Sequence, residues 1–344
     1  MRKRALITGI TGQDGSYLTN FLLEKGYDVY GMVRRTSHFN RKGLDSFKSK
    51  AEKNNLVFKL CYGNLEDSSS VYKVLLESNP SEIYNFASQS HVHISYDEPE
   101  YTAKINSIGF IKLLEAIRFL KLDCRIFQPV SSDMFGDPIE EPQSETTQFT
   151  PTSPYAVTKL SSYWMSRIYR QKYNFFICNG ILYNHESPYR GENFVTRKIT
   201  YSLARIKAGQ QKKLCLGNYD SKRDWGYAPD YVRAMWLMLQ QEQPDDYIIA
   251  TGKLHSVREF VEKAAFYSGF DILWKGNGIE EVGIDRSSGK EIICIDPKYY
   301  RPAEKKHLYG NPSKAKQILK WEPSINFNKL VEIMMKSDLN LFGV

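Results

Sequence analysis

Short apolar runs alternate with segments of helical periodicity through the first half of the chain. Each run has the length of a buried strand, and the segments between them place apolar residues on one helical face. The predicted strands are residues 5–8, 28–33, 58–62, 83–87, 126–130 and 175–182, and the predicted helices are residues 16–25, 68–77 and 101–120 and a helix that begins at Pro154. This alternation predicts an α/β protein with a doubly wound parallel sheet.

The second half of the chain has a pattern that favours helices over strands. Its pattern predicts one strand at residues 247–250 and helices at residues 195–206, 228–241, 256–267, 312–319 and 328–339. Residues 276–290 are rich in glycine and charge and predict a mobile loop. We therefore expect a sheet domain at residues 1–180 and a smaller mixed α/β lobe at residues 181–344, some segments of which return to the sheet.

Composition narrows the class of protein. The chain is 42% hydrophobic and 25% charged, which is typical of a globular protein. Its net charge of +8 suits an anionic ligand, but the basic residues are dispersed, so we expect no nucleic-acid partner. We also expect no signal peptide and no membrane span, and at His91 and His93 we expect loop packing or a substrate contact rather than a metal. An odd number of widely spaced cysteines predicts reduced thiols in a cytoplasmic protein: Cys61, Cys124, Cys178, Cys215 and Cys294.

A glycine-rich turn follows the first predicted strand and precedes the first predicted helix. Glycines stand at Gly9, Gly12 and Gly15, in the strand–turn–helix context of a dinucleotide-binding motif. Glycines at such a turn let backbone N–H groups approach a pyrophosphate, and the helix N-terminus favours its negative charge. Arg34 and Arg35 end the second strand, where an acidic residue would bind the ribose of NAD. Two arginines suit a 2′-phosphate instead and predict NADP.

The candidate chemistry lies between Ser131 and Lys159. Ser131 and Asp133 follow a predicted strand, at the edge of an α/β sheet where catalytic groups collect. Pro154 suits the first turn of a helix, and Tyr155 and Lys159 would then project from one face of it. The ammonium of Lys159 would favour the phenolate of Tyr155, which makes Tyr155 a candidate base for a sugar hydroxyl. A tyrosine and a lysine at this spacing are more often a solvated surface pair, so the upstream glycine turn carries much of this interpretation.

The glycine turn and the Tyr155-x-x-x-Lys159 pair resemble those of the extended short-chain dehydrogenase/reductases, a Rossmann-fold family that remodels nucleotide sugars. Within that family the sequence is most similar to the GDP-mannose 4,6-dehydratases. The segments that carry this similarity extend over nearly the whole chain: residues 9–18, 34–35, 155–157, 178–182, 184–188, 190–192, 194–199, 216–218, 223–226 and 301–304.

The resemblance implies an NADP-dependent hydro-lyase. Tyr155 would take the proton of the sugar 4-hydroxyl while hydride leaves C4 for NADP, with Lys159 tuning Tyr155 and Ser131 bonding the same oxygen. A carboxylate would then remove the C5 proton as the 6-hydroxyl leaves as water, and the hydride would return to C6. The expected product from GDP-mannose, or from a relative such as GDP-manno-heptose, is a GDP-4-keto-6-deoxy sugar.

The resemblance also implies two binding sets. The expected cofactor contacts are Gly9, Thr11, Gly12, Gln13, Asp14, Gly15, Arg34, Arg35, Asn64, Leu65, Ala87, Ser88, Tyr155, Lys159, His185 and Arg190. The expected substrate contacts are Ser88, Gln89, Ser131, Ser132, Asp133, Tyr155, Asn184, Glu186, Val195, Lys198, Gly217, Arg223, Arg301 and Glu304. Arg223 and Arg301 would neutralise the diphosphate, and Glu304 would bind the guanine or ribose or pair with Arg301. We further expect a homodimer or homotetramer, in which the loop after Arg35 reaches a neighbouring subunit.

Three positions depart from the family pattern. Asp133 replaces the expected glutamate, Ser131 replaces a threonine but keeps the hydroxyl, and Asn64 replaces an acidic residue. Aspartate is one methylene shorter, about 1.5 Å of reach. The sequence leaves open a deeper-seated or larger sugar, a slow dehydratase, or a GDP-sugar 4-epimerase, 4-oxidase or 4-keto reductase that no longer eliminates water. A non-catalytic NADP-binding scaffold is a third class of function.

Overall fold

The structure, a computed structural model, describes residues 2–35, 44–300 and 307–344, except for the side chain of Tyr299. The chain divides into two compact units. The first unit comprises Met1–Tyr183, Ala228–Ile249 and Gly310–Glu322, and the second comprises Asn184–Tyr227, Ala250–Tyr309 and Pro323–Val344. No helix in these described stretches is long and apolar enough to cross a membrane.

The described chain contains fifteen strands. In chain order they are β1 (Arg4–Thr8), β2 (Asp28–Val33), β3 (Phe58–Tyr62), β4 (Glu82–Asn85), β5 (Arg125–Ser131), β6 (Phe176–Leu182), β7 (Asn184–Glu186), β8 (Leu214–Leu216), β9 (Lys222–Arg223), β10 (Trp225–Tyr227), β11 (Asp246–Ile249), β12 (His255–Ser256), β13 (Ile272–Lys275), β14 (Val282–Asp285) and β15 (Glu291–Ile295).

The described α-helices number eleven. They are α1 (Gln13–Glu24), α2 (Leu44–Lys53), α3 (Ser68–Ser78), α4 (Ile94–Asp97), α5 (Pro99–Ala103), α6 (Gly109–Phe119), α7 (Pro154–Tyr173), α8 (Val195–Lys207), α9 (Ala228–Met238), α10 (Val257–Tyr267) and α11 (Phe327–Phe342). Short 3₁₀ segments lie at Ser132–Phe135, Gly278–Glu280 and Pro297–Tyr299, and π-helical segments lie at Lys104–Ile108 and Ala315–Leu319.

The first unit is built on a seven-stranded sheet in the order β11-β6-β5-β4-β1-β2-β3, with every pair parallel. All residues of β2 and β4 are buried, because helices cover both faces of the sheet. Ala5 and Ile7 of β1 pack into the apolar cluster that contains α1 and α9, whereas Leu6 packs into the cluster that contains α3 and α6. The predicted doubly wound α/β fold is confirmed.

The second unit has its own core and a mixed sheet. Strands β13, β14, β15 and β8 lie side by side, with antiparallel pairs up to β15 and a parallel pair between β15 and β8. Helices α8, α10 and α11 contribute Leu203, Phe260 and Met334 to the apolar cluster that also includes Ile293 of this sheet. Helix α10 begins with a capping box formed by Ser256 and Glu259.

Two predictions in the second unit were wrong. Residues 276–290 contain β14 and a 3₁₀ turn rather than a loop throughout, because Gly283 and its neighbours pair with β13 and β15. The structure joins Cys215 to Cys294 in a disulfide, since the parallel register of β8 and β15 places these residues directly opposite each other. Their 79-residue separation hid this pairing from the sequence. Cys61, Cys124 and Cys178 are free thiols.

Candidate active site

The glycine turn lies where the strand order of the sheet reverses, between β1 and β4. Ligands of open α/β sheets bind outside the carboxyl ends of the strands at such a point. The N–H of Gly12 donates to the carbonyl of Gly9 at 3.0 Å, and α1 begins directly afterwards at Gln13. The cap residue of α1 is Gly12, which has no side chain, so the turn suits a pyrophosphate.

Close backbone contacts explain two of the three glycines. Gly9 has a φ of +65°, and a Cβ there would lie 2.9 Å from the backbone N of Ala87. A Cβ on Gly15 would lie 2.6 Å from the carbonyl oxygen of Gly9. A larger residue at either position would push the turn away from β4 or from α1, so both glycines maintain the shape of the turn.

A chain of buried polar side chains crosses three strands beneath this turn. The hydroxyl of Thr8 on β1 donates to Asn85 Oδ1 on β4 at 2.8 Å and accepts the N–H of Ala87 at 3.0 Å. Asn85 Nδ2 donates to Gln128 Oε1 on β5 at 2.8 Å. These bonds join the carboxyl ends of β1 and β4 to the middle of β5. This chain of polar side chains was not predicted, although polar residues inside otherwise apolar strands were a usable signal.

The predicted 2′-phosphate residues lie after the end of β2. Arg34 and Arg35 are both exposed. Arg34 Nη1 donates to the hydroxyl of Tyr101 at 2.9 Å, and the guanidinium of Arg35 lies 4.9 Å from the ring centroid of Tyr62. Two oriented cations at this edge fit an anionic group. At the end of the next strand, Asn64 bonds the backbone N–H of Glu66 and Leu65 is buried.

Ser131 and Asp133 come together at the end of β5. Ser131 caps the 3₁₀ turn, accepting the N–H of Asp133 at 3.2 Å. Its hydroxyl also donates to Asp133 Oδ2 at 3.0 Å. Ser131 and Ser132 are buried, and Asp133 is partly exposed. The short aspartate side chain therefore folds back onto its neighbour, with its carboxylate oriented by the serine hydroxyl.

Tyr155 and Lys159 lie on the first turns of α7, as predicted. Ser153 caps the helix by accepting the N–H of Ala156 at 3.1 Å, and Pro154 follows as the first helical residue. Lys159 Nζ lies 5.7 Å from the ring centroid of Tyr155 and donates to the carbonyl of Pro129 on β5 at 3.2 Å. Tyr155 is 7% exposed and Lys159 is 5% exposed, so this is no solvated surface pair.

Burial makes the charged form of Lys159 less stable. It lowers the pKa of the ammonium to about 8, while the carboxylate of Asp14 acts in the opposite direction. Lys159 therefore carries a positive charge near neutral pH and loses it within a working pH range. A buried cation of this kind can stabilise a phenolate on the neighbouring tyrosine.

Asn106 joins the loop after β4 to α7. It lies in the π-helical segment that interrupts the single helix predicted at residues 101–120. Its Oδ1 accepts the hydroxyl of Ser88 at 2.8 Å and the N–H of Gln89 at 3.0 Å, and its Nδ2 donates to Thr158 Oγ1 at 3.2 Å. The predicted contacts Ser88 and Gln89 are thus held in place by a residue to which the sequence analysis assigned no role.

The remaining predicted residues belong to the second unit. Glu186 is 2% exposed, and its Oε2 accepts the hydroxyl of Thr196 at 2.5 Å and lies 3.1 Å from Arg190 Nε. The guanidinium of Arg190 packs over the ring of Phe194 at 3.7 Å. Glu186 therefore lies behind Arg190 as its ion-pair partner.

Other predicted contacts in this unit lie on or beside short strands and at the start of helix α8. Val195 and Lys198 occupy the first turn of α8, His185 is buried on β7 next to Asn184, and Gly217 follows β8. Arg223 ends β9, next to a buried Asp224 that accepts bonds from Thr251 and Gly252. Arg301 and Glu304 lie outside the described residues.

The strand order, the glycine turn and the buried Tyr155–Lys159 pair define an extended short-chain dehydrogenase/reductase. The solved structure of DesIV from Streptomyces venezuelae, a dTDP-glucose 4,6-dehydratase with NAD and TYD bound, shares this fold. It matches with a TM-score of 0.81 and 20% identity over 100% of this chain and 98% of that chain. RMD from Pseudomonas aeruginosa complexed with NADPH matches with a TM-score of 0.76 and 19% identity, covering 98% of this chain and 100% of that chain. At these identities the likeness establishes the fold alone.

Sequence comparison identifies the particular family. The family model described as GDP-mannose 4,6 dehydratase matches residues 6–334. The chain is 51% identical to a GDP-mannose 4,6 dehydratase of Drosophila melanogaster, over 98% of this chain and 87% of that protein. It is 50% identical to the Homo sapiens protein of that name, over 99% of this chain and 92% of that protein. The chain therefore belongs to the GDP-mannose 4,6-dehydratase family, which confirms the predicted resemblance.

Proposed function

We propose that this protein is a hydro-lyase that converts GDP-mannose, or a related GDP-sugar such as GDP-manno-heptose, to the GDP-4-keto-6-deoxy sugar with loss of water. The observation that carries the proposal is the buried Tyr155–Lys159 pair on α7, within a chain about half identical to proteins named for this activity. The product class places the reaction in the biosynthesis of deoxysugars.

The first step is removal of the sugar 4-hydroxyl proton. Tyr155 acts as the base, and the buried ammonium of Lys159 favours its phenolate. Ser131 bonds the same oxygen when its hydroxyl turns from Asp133 Oδ2 toward the sugar. A bound NADP supplies the group that accepts hydride from C4 and later returns it to C6. Once C4 is a ketone, the C5 hydrogen is acidic enough for a carboxylate to remove.

Asp133 is the proposed base for the C5 proton. Its carboxylate is partly exposed at the end of β5 and is oriented by the hydroxyl of Ser131. Removal of the C5 proton places electrons next to C6, and the 6-hydroxyl takes up that proton from the carboxyl of Asp133 and leaves as water. C5 then gains a proton from solvent when C6 is reduced. The ordered aspartate supports elimination with the shorter side chain.

The proposed cofactor is NADP. The uncapped start of α1 and the glycine turn suit its pyrophosphate, and Arg34 and Arg35 suit a 2′-phosphate. Other proposed contacts of the first unit are Thr11, Gln13, Asp14, Asn64, Leu65, Ala87 and Ser88. In the second unit, His185 and Arg190 are proposed cofactor residues.

The proposed GDP-sugar contacts of the second unit have support from helix α8. The cap residue of α8 is Phe194, whose side chain makes no capping hydrogen bond, and Val195 and Lys198 lie on the first turn, so this end suits a diphosphate. Arg223 is a second proposed diphosphate ligand, and Glu186 contributes by holding Arg190. Asn184, Gly217, Arg301 and Glu304 complete the proposed set, together with Gln89 and Ser132 of the first unit.

A homo-oligomer and a cytoplasmic location complete the proposal. Exposed apolar side chains at Val157, Trp164 and Ile168 form a stripe on one face of α7, which supports association with a second copy. The free thiols support a reducing compartment, whereas the Cys215–Cys294 disulfide gives that location no support. The predicted intersubunit loop after Arg35 begins outside the described residues.

The reaction can be tested with GDP-mannose and GDP-manno-heptose in deuterated water, with NADP or NAD in parallel. Mass spectrometry should show a product that has lost water and carries deuterium at C5, with faster turnover on NADP. Asp133→Asn should lower the elimination rate by about 10²- to 10⁴-fold, because the base is lost. Asp137→Asn, which removes an exposed carboxylate a few residues further along, should keep the wild-type rate.

The same assay separates the alternatives. A product that retains its 6-hydroxyl would favour the 4-epimerase, 4-oxidase or 4-keto reductase suggested by Asp133. The half-identical dehydratases do not favour this alternative. If neither sugar is converted and Tyr155→Phe has no effect on the biological role, the protein is a binding scaffold.

A further inference from the structure

The segment that follows β4 reaches the backbone of Tyr155. Ser95, in the short helix α4, is completely buried. Its hydroxyl accepts the N–H of Tyr155 at 3.1 Å and donates to the carbonyl of Val92 at 2.6 Å. A residue distant in sequence therefore holds the main chain of the proposed base.

Helix α7 needs this bond because of its own sequence. The first N–H groups of a helix have no partner within the helix. Pro154 has no N–H, and the cap Ser153 is used by Ala156, so the N–H of Tyr155 is the first that requires an outside acceptor. Ser95 supplies that acceptor from a different element.

Ser95 is itself held in place by hydrogen bonds within residues 89–95. Gln89 Oε1 accepts the N–H of His91 at 2.5 Å, and Gln89 Nε2 donates to the carbonyl of His91 at 3.0 Å. That same carbonyl accepts the N–H of Ser95 at 3.3 Å. Hydrogen bonds thus run from Gln89, a proposed substrate contact, through His91 and Ser95 to Tyr155.

The carbonyl of Tyr155 is restrained as well. It accepts the hydroxyl of Thr158 at 2.7 Å, and Thr158 is in turn bonded by Asn106. With both backbone polar groups of Tyr155 held, the direction of its side chain depends on Ser95 at the N–H and on Thr158 at the carbonyl. Loss of the Ser95 bond leaves the N-terminal side without a fixed partner.

We propose that Ser95 is a positioning residue for the reaction, which fixes the backbone of Tyr155 so that its phenol meets the sugar 4-hydroxyl. The inference rests on the proposed function of Tyr155. A misplacement of about 1 Å at a reacting group can cost on the order of a hundredfold in rate. Ser95 touches no reacting atom in this role, so its loss affects the chemical step more than binding.

The test compares Ser95→Ala with Ser153→Ala in the full-length protein. Each change removes one hydroxyl that accepts one N–H at the start of α7, but only Ser95 bonds Tyr155. We expect Ser95→Ala to lower kcat about 10- to 100-fold, with little change in KM for GDP-mannose or NADP and a larger isotope effect for deuterium at C4. Ser153→Ala should change kcat much less. Ser95→Cys, with a weak thiol acceptor, should fall between Ser95→Ala and wild type.

Urea unfolding of each variant shows whether it is folded at the assay temperature. Equal losses of kcat in Ser95→Ala and Ser153→Ala would overturn the proposal, because both changes would then act through helix stability alone. An unchanged kcat in Ser95→Ala would overturn it too. Failure of the wild-type protein to produce the 4-keto-6-deoxy sugar, by contrast, would overturn the proposed function.

Discussion

Two opposing effects set the pKa of Lys159: its burial and the carboxylate of Asp14. Burial brings the pKa down to about 8, and Asp14 raises it. Because the charged form favours the phenolate of Tyr155, kcat should fall as the pH rises above about 8 and Lys159 loses its proton.

Replacement of Asp14 tests this balance. Asp14→Asn removes the carboxylate that stabilises the ammonium, so the alkaline limb of the kcat profile should move to lower pH. The profile is measured at saturating cofactor, because Asp14 is also a proposed cofactor contact. Asp123→Asn, which removes an exposed charge elsewhere, should leave the limb in place. A limb that stays unchanged in Asp14→Asn would contradict the role of Lys159.

The contacts of some site residues could be predicted from the sequence, and those of others could not. Tyr155 and Lys159 are four positions apart on one helix, so their shared face followed from helical geometry. Thr8, Asn85 and Gln128 come from three strands, and only the parallel register brings them together. The bond from Ser95 to Tyr155 was equally invisible, because it joins two helix starts 60 residues apart.

A buried ion pair joins helices α8 and α11. Arg197 Nη2 lies 2.6 Å from Asp338 Oδ1, and neither side chain is more than 9% exposed. Burial raises the pKa of Asp338 to about 6, although Thr200 and Arg197 act in the opposite direction. The folded state therefore binds more protons than the unfolded state between about pH 4 and 6. Asp338 favours folding at low pH, and this contribution is lost as the pH rises through about 6.

Arg197→Met tests how far protein stability depends on the Arg197–Asp338 ion pair. It leaves the carboxylate of Asp338 buried without its partner, which should lower the free energy of unfolding by about 3–5 kcal/mol above pH 6. The loss should shrink as the pH falls and the carboxyl protonates. The double variant Arg197→Met with Asp338→Leu removes both charges and should recover most of the stability. Urea unfolding across pH measures all three proteins, and a double variant as unstable as the single one would contradict this account.

Regular helices were easier to predict than an irregular segment within a helix or a strand whose sequence is typical of loops. Apolar spacing identified α1, α3, α8 and α10, because each buries one face. The π-helical segment at Lys104–Ile108 was missed, since the contacts made there by Asn106, with Ser88, Gln89 and Ser162, come from other elements of the chain. Strand β14 was missed because its glycine and charges are typical of loops and only its neighbours make it a strand.

At the scale of the whole molecule, the exposed apolar stripe on α7 is the proposed contact with a second copy of the chain. Trp164 is 50% exposed and lies on the same helical face as Val157 and Ile168. Trp164→Glu should shift the protein toward a smaller oligomer, because a charge would be buried at the contact. Light scattering after size-exclusion chromatography measures the mass. Phe266→Glu, at an aromatic residue of α10 that is 73% exposed, is the matched control and should leave the mass unchanged. A wild-type monomer would rule out the proposed oligomer.

The sequence by itself determined the strand–helix alternation, the glycine turn and the pair on α7, because these depend on residues close together along the chain. Tertiary structure alone decided the order of the seven strands, the pairing of Cys215 with Cys294, and the hydrogen bond from Ser95 that orients Tyr155. Strand neighbours and buried hydrogen bonds join distant segments, and their energies depend on register and burial that no local pattern contains.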